Sequence, residues 1–222
     1  MDLLEGLEAP GRPEVLGSGA SLLPGFARPA AASLLLDLAA IAERAPFRHL
    51  ETPGGRRMSV AMTACGPLGW HSDRRGYRYV SEDPARGSAW PPMPASFRKL
   101  AADAARAAGF AGFAPDSVLL NRYEPGARLS LHQDRDEGEH EAPIVSVSLG
   151  LPATFLWGGL QREHPVRRLR LVHGDVAVWG GPSRFAFHGI APLRPGEHPA
   201  TGRFRFNITF RRVRPMAGGS AR

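Results

Sequence analysis

Two histidines and an aspartate in this chain have the types and spacing of an open metal site: His132 and Asp134 flank a single residue, and His188 follows far downstream. Along an extended segment successive side chains alternate between faces, so His132 and Asp134 share a face and can grip one ion together. Two imidazoles and a carboxylate on one face of an octahedral ion leave about three positions open, the arrangement of non-haem Fe(II) oxygenases. The triplet alone is a weak signal, because a histidine beside an acidic run such as Asp134-Arg135-Asp136-Glu137 is more often solvated. Zinc is the alternative metal, but it prefers four ligands, often with cysteine, and Cys65 is the only thiol. An iron site of this kind also needs a co-substrate with which to activate oxygen.

A strand near the C-terminus supplies a candidate site for one. Residues 203–211 alternate without a break, with Phe204, Phe206, Ile208 and Phe210 on one face and Arg203, Arg205, Asn207, Thr209 and Arg211 on the other. In an ordinary half-buried strand the polar face looks at water, whereas around a polar pocket it can turn inward. Arg205 and Arg211 emerge on one side, their Cα atoms about 20 Å apart along an extended strand. Their side chains can reach back to hold a short dicarboxylate by charge-assisted contacts. Asn121 and Tyr123, same-side neighbours on their own strand, can add neutral hydrogen bonds. Iron beside a dicarboxylate clamp points to 2-oxoglutarate, with O2 as the other co-substrate.

Elements that position these residues are legible around them. Pro29–Arg44 has proline at a first-turn position and apolar residues at helical spacing. A second helix runs from Ala95 to Ala108 and stops at Gly109. Between the helices Met58–Ala64 and Gly76–Val80 read as strands, Gly66-Pro67-Leu68-Gly69 as a turn, and 81–90 as loop. Beyond Pro115, short strands follow at Ser117–Tyr123, Leu129–Gln133, Ile144–Leu149, Thr154–Trp157, Leu169–His173, Val176–Trp179, Arg184–His188 and Arg203–Arg212. Residues 1–20 carry no periodicity and read as an irregular extension. The pattern predicts an α+β, mainly β chain: a jelly roll with flanking helices, formed by one domain over residues 21–222. Barrel closure is what brings His188 to His132.

Composition narrows the setting. The chain has 222 residues, 43% hydrophobic and 22% charged, near the globular average. No apolar run approaches the roughly 20 residues of a membrane span. Met1-Asp2-Leu3-Leu4-Glu5 lacks the basic region and apolar core of a secretory signal, and a lone cysteine suits a reducing compartment, so a cytoplasmic setting is expected. A net charge of +7 favours a polyanionic partner such as nucleic acid. Lys99 is the only lysine, however, so the arginine excess reads as a chain-wide coding preference and supports such a partner only weakly.

Longer motifs carry a resemblance. Residues 120–137, including Leu120-Asn121-Arg122-Tyr123-Glu124-Pro125-Gly126 and Leu131-His132-Gln133-Asp134-Arg135-Asp136-Glu137, are similar to the AlkB family of dioxygenases that repair alkylated DNA. So are Pro143–Gly150, His173-Gly174-Asp175-Val176 and Arg205–Arg211, and upstream Thr52-Pro53-Gly54-Gly55, Met58–Thr63 and Leu68-Gly69-Trp70. The resemblance covers nearly the whole chain beyond the first 20 residues. It implies a double-stranded β-helix over residues 115–213 with an N-terminal nucleotide-recognition lid over about 50–92. It places Fe(II) on His132, Asp134 and His188, and 2-oxoglutarate on Asn121, Tyr123, Arg205, Asn207 and Arg211, with Arg211 joining the triad as catalytic.

The resemblance also implies a substrate. Family members flip a damaged base out of the stack, because its methyl group cannot reach a metal inside a duplex. Trp70 and His132 would sandwich that base, and Asp136 would meet its exocyclic amino group. Tyr77, Arg128, Arg135 and Arg162 would contact phosphate, and Thr52, Met62 and Ser130 complete the substrate set. Three of those phosphate positions carry arginine where the best-known member has lysine, which keeps charge and changes geometry. Trp157 in Phe155-Leu156-Trp157-Gly158-Gly159 and the tail after Arg212 also depart from the pattern. The implied reaction is oxidative demethylation of 1-methyladenine and 3-methylcytosine in DNA, single strands preferred and RNA a further substrate, releasing formaldehyde, succinate and CO2. The implied enzyme is a cytoplasmic monomer. Two alternatives are an iron hydroxylase of proteins or small molecules and a metal-containing nucleic-acid module without catalysis. Trp70 with the basic residues near it discriminates against the first, and the complete triad with both arginines gives no support to the second.

Overall fold

Alternation in the strand Arg205–Arg211 sets the layering of the whole molecule, here described by a computed structural model over residues 11–214. Ile208 and Phe210 face two helices, while Arg205, Asn207, Thr209 and Arg211 face a second sheet, and all six are buried. The strand lies inside an eight-stranded sheet whose order is Glu14–Gly17, Ala20–Leu23, Val176–Trp179, Ile144–Gly150, Arg205–Arg211, Ser117–Tyr123, Arg57–Cys65 and Arg48–Glu51. A four-stranded sheet, Leu129–His132, His188–Ile190, Ala153–Trp157 and Arg167–Leu171, covers its inner face. Two antiparallel sheets face to face with helices outside make the mainly β jelly roll that the strand pattern predicts.

The helices are held by apolar stripes. Leu34, Leu38 and Ile41 recur at helical spacing along Ala31–Arg44 and are buried, with Pro29 in the 3-10 turn that leads into it. Along Ala95–Ala107 the stripe is Phe97, Leu100, Ala101, Ala104 and Ala105. These residues share one core with Val118, Leu120, Val145, Val147, Val176, Val178, Ile208 and Phe210 of the large sheet. A second core, including Ile144, Phe155, Trp157, Leu171, Trp179 and Ile190, fills the space between the sheets around the candidate site. Gly109 takes φ of +90°, and the next N–H, of Phe110, closes on the carbonyl of Ala105 at 2.8 Å, which ends the second helix. Cys65 is a buried free thiol whose pKa burial raises. No described helix is long and apolar enough to cross a membrane.

Four local expectations are corrected, and the shortest is that 81–90 is not all loop: Glu82–Asp83 pairs with Ser88–Ala89. Residues 14–17 are not irregular: Glu14–Gly17 and Ala20–Leu23 form a hairpin that joins the large sheet beside Val176–Trp179. Two strands of four residues are too short for alternation to stand out among glycines and prolines, and neighbouring strands supply their partners. Residues 1–10, the first half of that extension, and the tail beyond 214 lie outside the described residues. Arg184–His188 is not a strand; a 3-10 turn at Gly181–Ser183 precedes it and the strand is His188–Ile190. Arg184 turns inward to the Asp134 carbonyl and the Glu137 carboxylate, and those bonds replace a ladder. Finally, Gly69–Asp73 pairs with Gly76–Val80, so the turn expected at 66–69 opens a hairpin whose first strand sequence reading leaves out.

Candidate active site

His132 and His188 face each other because their strands pair in register, His132 opposite His188. Close approach of these strands depends on Gly189, where an added Cβ would lie 2.6 Å from the Leu129 carbonyl oxygen. The His132 Nε2 atom is 3.6 Å from Asp134 Oδ1, and His188 Nε2 is 3.8 Å from Asp134 Oδ2. One ligand atom from each of the three lies within 4.8 Å of the others. Each Nδ1 meets a backbone carbonyl, Ser130 at 2.9 Å for His132 and Ala186 at 3.0 Å for His188. A carbonyl can only accept, so both Nδ1 atoms carry a proton and both Nε2 atoms turn toward Asp134. Burial, then the neighbouring His132, pushes the His188 pKa down to about 3, so that imidazole is neutral near pH 7. Among described His, Cys, Asp and Glu side chains, this is the cluster arranged to hold a metal ion.

Asp134 is gripped from behind. Burial would raise its pKa, but the Arg211 guanidinium and the two imidazoles outweigh that and hold it below the usual carboxylate range. Arg211 places Nε at 2.9 Å and Nη2 at 2.6 Å from Asp134 Oδ2. Its Nε also lies 3.2 Å from Glu137, which in turn receives Arg184 at 3.1 Å and the Tyr79 hydroxyl at 2.6 Å. Burial keeps the Tyr79 phenol protonated, its pKa well above the usual value, so Tyr79 donates and Glu137 accepts. Tyr79, Glu137 and Arg184 are neighbours of the triad that sequence reading missed. Glu137 lay hidden in an acidic run that reads as solvated, and Tyr79 and Arg184 carry no local signal.

Arg205 stands in a different condition. It is 1% exposed, stacks over the Tyr123 ring with 4.8 Å to the centroid, and donates from Nη2 to Ser148 Oγ at 2.9 Å. Its Nε and Nη1 are buried without a partner, as is the Asn121 side-chain oxygen Oδ1. A buried cation with open donors is costly unless an anion meets it. Asn121 donates to Asn207 at 3.1 Å, and Asn207 donates to Ser146 and to the Val147 carbonyl. All five residues expected at a dicarboxylate, Asn121, Tyr123, Arg205, Asn207 and Arg211, line one cavity with the triad. The two arginines are not equivalent within it: Arg211 is already paired with Asp134, whereas Arg205 offers free N–H groups. Arg203, on the same sequence face, is exposed and lies 3.5 Å from Glu124.

That cavity has a volume of about 610 Å³, and Thr52, Met62, Trp70, Tyr77, Arg128, Ser130 and Asp136 also line it. Trp70 stacks on Tyr77 with centroids 5.6 Å apart and 17° between planes, and its indole N–H donates to Asp136 at 3.0 Å. Arg135 and Arg162 are absent from its wall; both are exposed, their guanidinium groups over the rings of Phe185 and Phe187. A second hollow of about the same volume, bordered by Arg75, Arg78 and Asp83 on the outer side of the hairpin, contains none of the triad.

Comparison with known proteins agrees with this geometry. The chain matches the 2OG-Fe(II) oxygenase superfamily over residues 19–211. It is 56% identical over 206 residues to the alpha-ketoglutarate-dependent dioxygenase AlkB of Salmonella typhimurium, covering 93% of this chain and 95% of that one. The protein of the same name in Escherichia coli is 56% identical over 200 residues, or 90% of this chain and 93% of that one. Among solved structures, that of OsALKBH1 superposes with a TM-score of 0.80 at 28% identity, over 90% of this chain and 100% of that one.

Proposed function

This chain belongs to the 2OG-Fe(II) oxygenase superfamily, and from that premise we propose that it repairs N-alkylated bases in DNA, with 1-methyladenine and 3-methylcytosine as substrates. It is an Fe(II)- and 2-oxoglutarate-dependent dioxygenase, and its reaction is oxidative demethylation of alkylated nucleic acids. Single strands are the preferred form in this reading, RNA is a further substrate, and the enzyme works as a cytoplasmic monomer.

His132, Asp134 and His188 would hold the metal, with Nε2 of each imidazole and one carboxylate oxygen as donors. Arg205 would take one carboxylate of 2-oxoglutarate on its open Nε and Nη1, beside Tyr123 and the Asn121–Asn207 pair. When bound, Fe(II) and 2-oxoglutarate with O2 supply hydroxylation of the N-methyl carbon; 2-oxoglutarate leaves as succinate and CO2, and the methyl carbon as formaldehyde. Arg211 keeps Asp134 ionised and fixed through that chemistry.

The residues of the cavity mouth then select the base. A methylated adenine or cytosine of this kind carries a fixed positive charge, and Asp136 favours that cation over a neutral base. Trp70 and His132 offer the two aromatic walls between which a flipped base can lie. In this reading the Gly69–Val80 hairpin is the lid, Tyr77 and Arg128 meet phosphate at the rim, and Arg135 and Arg162 extend that contact outside the cavity. Thr52, Met62 and Ser130 complete the wall.

The observation that carries the proposal is the juxtaposition in one cavity of an iron-type triad, a buried arginine with open donors and an aromatic–carboxylate pair at the mouth. Oligonucleotides bearing one 1-methyladenine, offered as single-stranded DNA, duplex DNA and RNA, test it by mass spectrometry. Loss of one methylene mass, fastest on the DNA single strand, is the expected result; methylated oligonucleotides left intact by iron-loaded protein would contradict it.

A further inference from the structure

Two buried charges beside the triad, Glu137 and Arg184, have no part in the chemistry above, and their bonds converge on Asp134. Arg184 donates from Nη1 to the Asp134 backbone carbonyl at 2.9 Å and from Nη2 to Glu137 Oε2 at 3.1 Å. Arg211 clasps the Asp134 side chain through Oδ2 and lies 3.2 Å from Glu137 Oε1. Glu137 is thus the one anion shared by both guanidinium groups, and Asp134 is held at its backbone by one of them and at its carboxylate by the other. The sum is two acids against two arginines, so the cluster is neutral and can persist where water is excluded.

The third partner of Glu137 comes from elsewhere in the chain. Tyr79 donates its hydroxyl at 2.6 Å from the Gly69–Val80 hairpin, where it stands opposite Trp70 in the register. The ring at the cavity mouth and the tie to Glu137 are therefore one cross-strand pair.

We infer that Glu137, fixed by Tyr79 and Arg184, is a positioning residue: it locks the Arg211 fork onto Asp134 Oδ2 and so leaves Oδ1 as the oxygen that faces the metal. Neither Glu137 nor Tyr79 ligates; both act through Arg211. The assignment rests on the reading that His132, Asp134 and His188 hold the metal. Removing the Tyr79 hydroxyl leaves Glu137 fixed by Arg184 alone, so its hold on the Arg211 fork loosens and Asp134 becomes free to rotate between one-oxygen and two-oxygen ligation. Partners behind metal ligands typically matter by 10- to 100-fold in affinity.

The test is Co(II) titration of the full-length protein in its metal-free form, followed by visible absorption, with melting temperature recorded for each variant. Wild type binds one Co(II) and His188→Ala does not. For Tyr79→Phe the inference predicts about a tenfold weaker Kd and an altered Co(II) band, a loss of affinity larger than the accompanying fall in melting temperature accounts for. Glu137→Gln should exceed that effect, and where it fails to fold, Tyr79→Phe decides alone. A Tyr79→Phe protein with wild-type Kd and band, or one whose affinity falls only in step with its melting temperature, overturns the inference. Wild type binding no Co(II) would overturn the metal-site reading itself, and binding by His188→Ala as tight as wild type would remove the triad.

Discussion

Arg205 is the residue on which the co-substrate assignment turns. It is buried with two open nitrogens, a state that a carboxylate would relieve. Truncating one side of a buried charge pair costs about 3 kcal/mol, so Arg205→Ala should raise the KM for 2-oxoglutarate roughly a hundredfold. Arg205→Lys should restore little, since an ammonium lacks the planar fork. Steady-state kinetics in 2-oxoglutarate checks both, and an unchanged KM would refute the clamp. At the cavity mouth, Trp70→Ala should weaken binding of a methylated single strand by about 1 to 3 kcal/mol in fluorescence anisotropy, the scale of stacking one base on an aromatic ring. No loss would leave Trp70 a packing residue held by Tyr77 and Asp136. Both residues were visible in the sequence, Arg205 through alternation and Trp70 through resemblance. The inequality of Arg205 and Arg211 was not, because it arises from Asp134, which belongs to a distant segment.

At the scale of elements, paired strands place the histidines, and Gly189 lets the strands approach. An added methyl group 2.6 Å from the Leu129 carbonyl must push the strand carrying His188 away from the one carrying His132. Gly189→Ala should therefore cost about 1 to 3 kcal/mol of stability and weaken metal binding as well. Thermal melts with and without metal measure the two losses; a variant that melts and binds like wild type would show that the sheet relaxes at no cost to the triad. The strands Ser117–Tyr123, Gly76–Val80 and Val176–Trp179 were legible to the residue, because each has strand-forming residues bounded by turn signals. The hairpin at 14–23 and the strand Gly69–Asp73 were not, being short segments whose order comes from partners. Arg184–His188 misled for the opposite reason: its alternation is real, but Arg184 spends its donors on the Asp134–Glu137 cluster.

Across the whole molecule, two histidines, His188 buried and His173 half-buried, tie the fold to pH. His173 lies away from the metal cluster, stacked on His198, and its Nδ1 accepts the Gly150 N–H at 3.0 Å. Burial first, then His198 and Arg28, push its pKa down to about 4 from an ordinary value of 6.5. The unfolded chain thus takes up a proton near pH 6.5 that the folded chain refuses until about pH 4, so the stability present above 6.5 declines between those values. His188 contributes in the same direction when no metal is bound. Denaturant unfolding from pH 7 to 4.5, in one metal state, should show wild-type stability falling with pH and a flatter profile for His173→Asn; equal slopes would exclude His173 as a cause.

The central claim is that one cavity couples oxidation of 2-oxoglutarate to removal of a methyl group from a nucleic-acid base. A single turnover tests it most directly: protein loaded anaerobically with Fe(II), 2-oxoglutarate and a 1-methyladenine oligonucleotide, then exposed to O2. Succinate, formaldehyde and unmodified adenine should appear together in equal amounts, and none should form when His132, Asp134 or His188 is alanine. Succinate without any loss of methyl from the base, or repair that proceeds without 2-oxoglutarate, would contradict it.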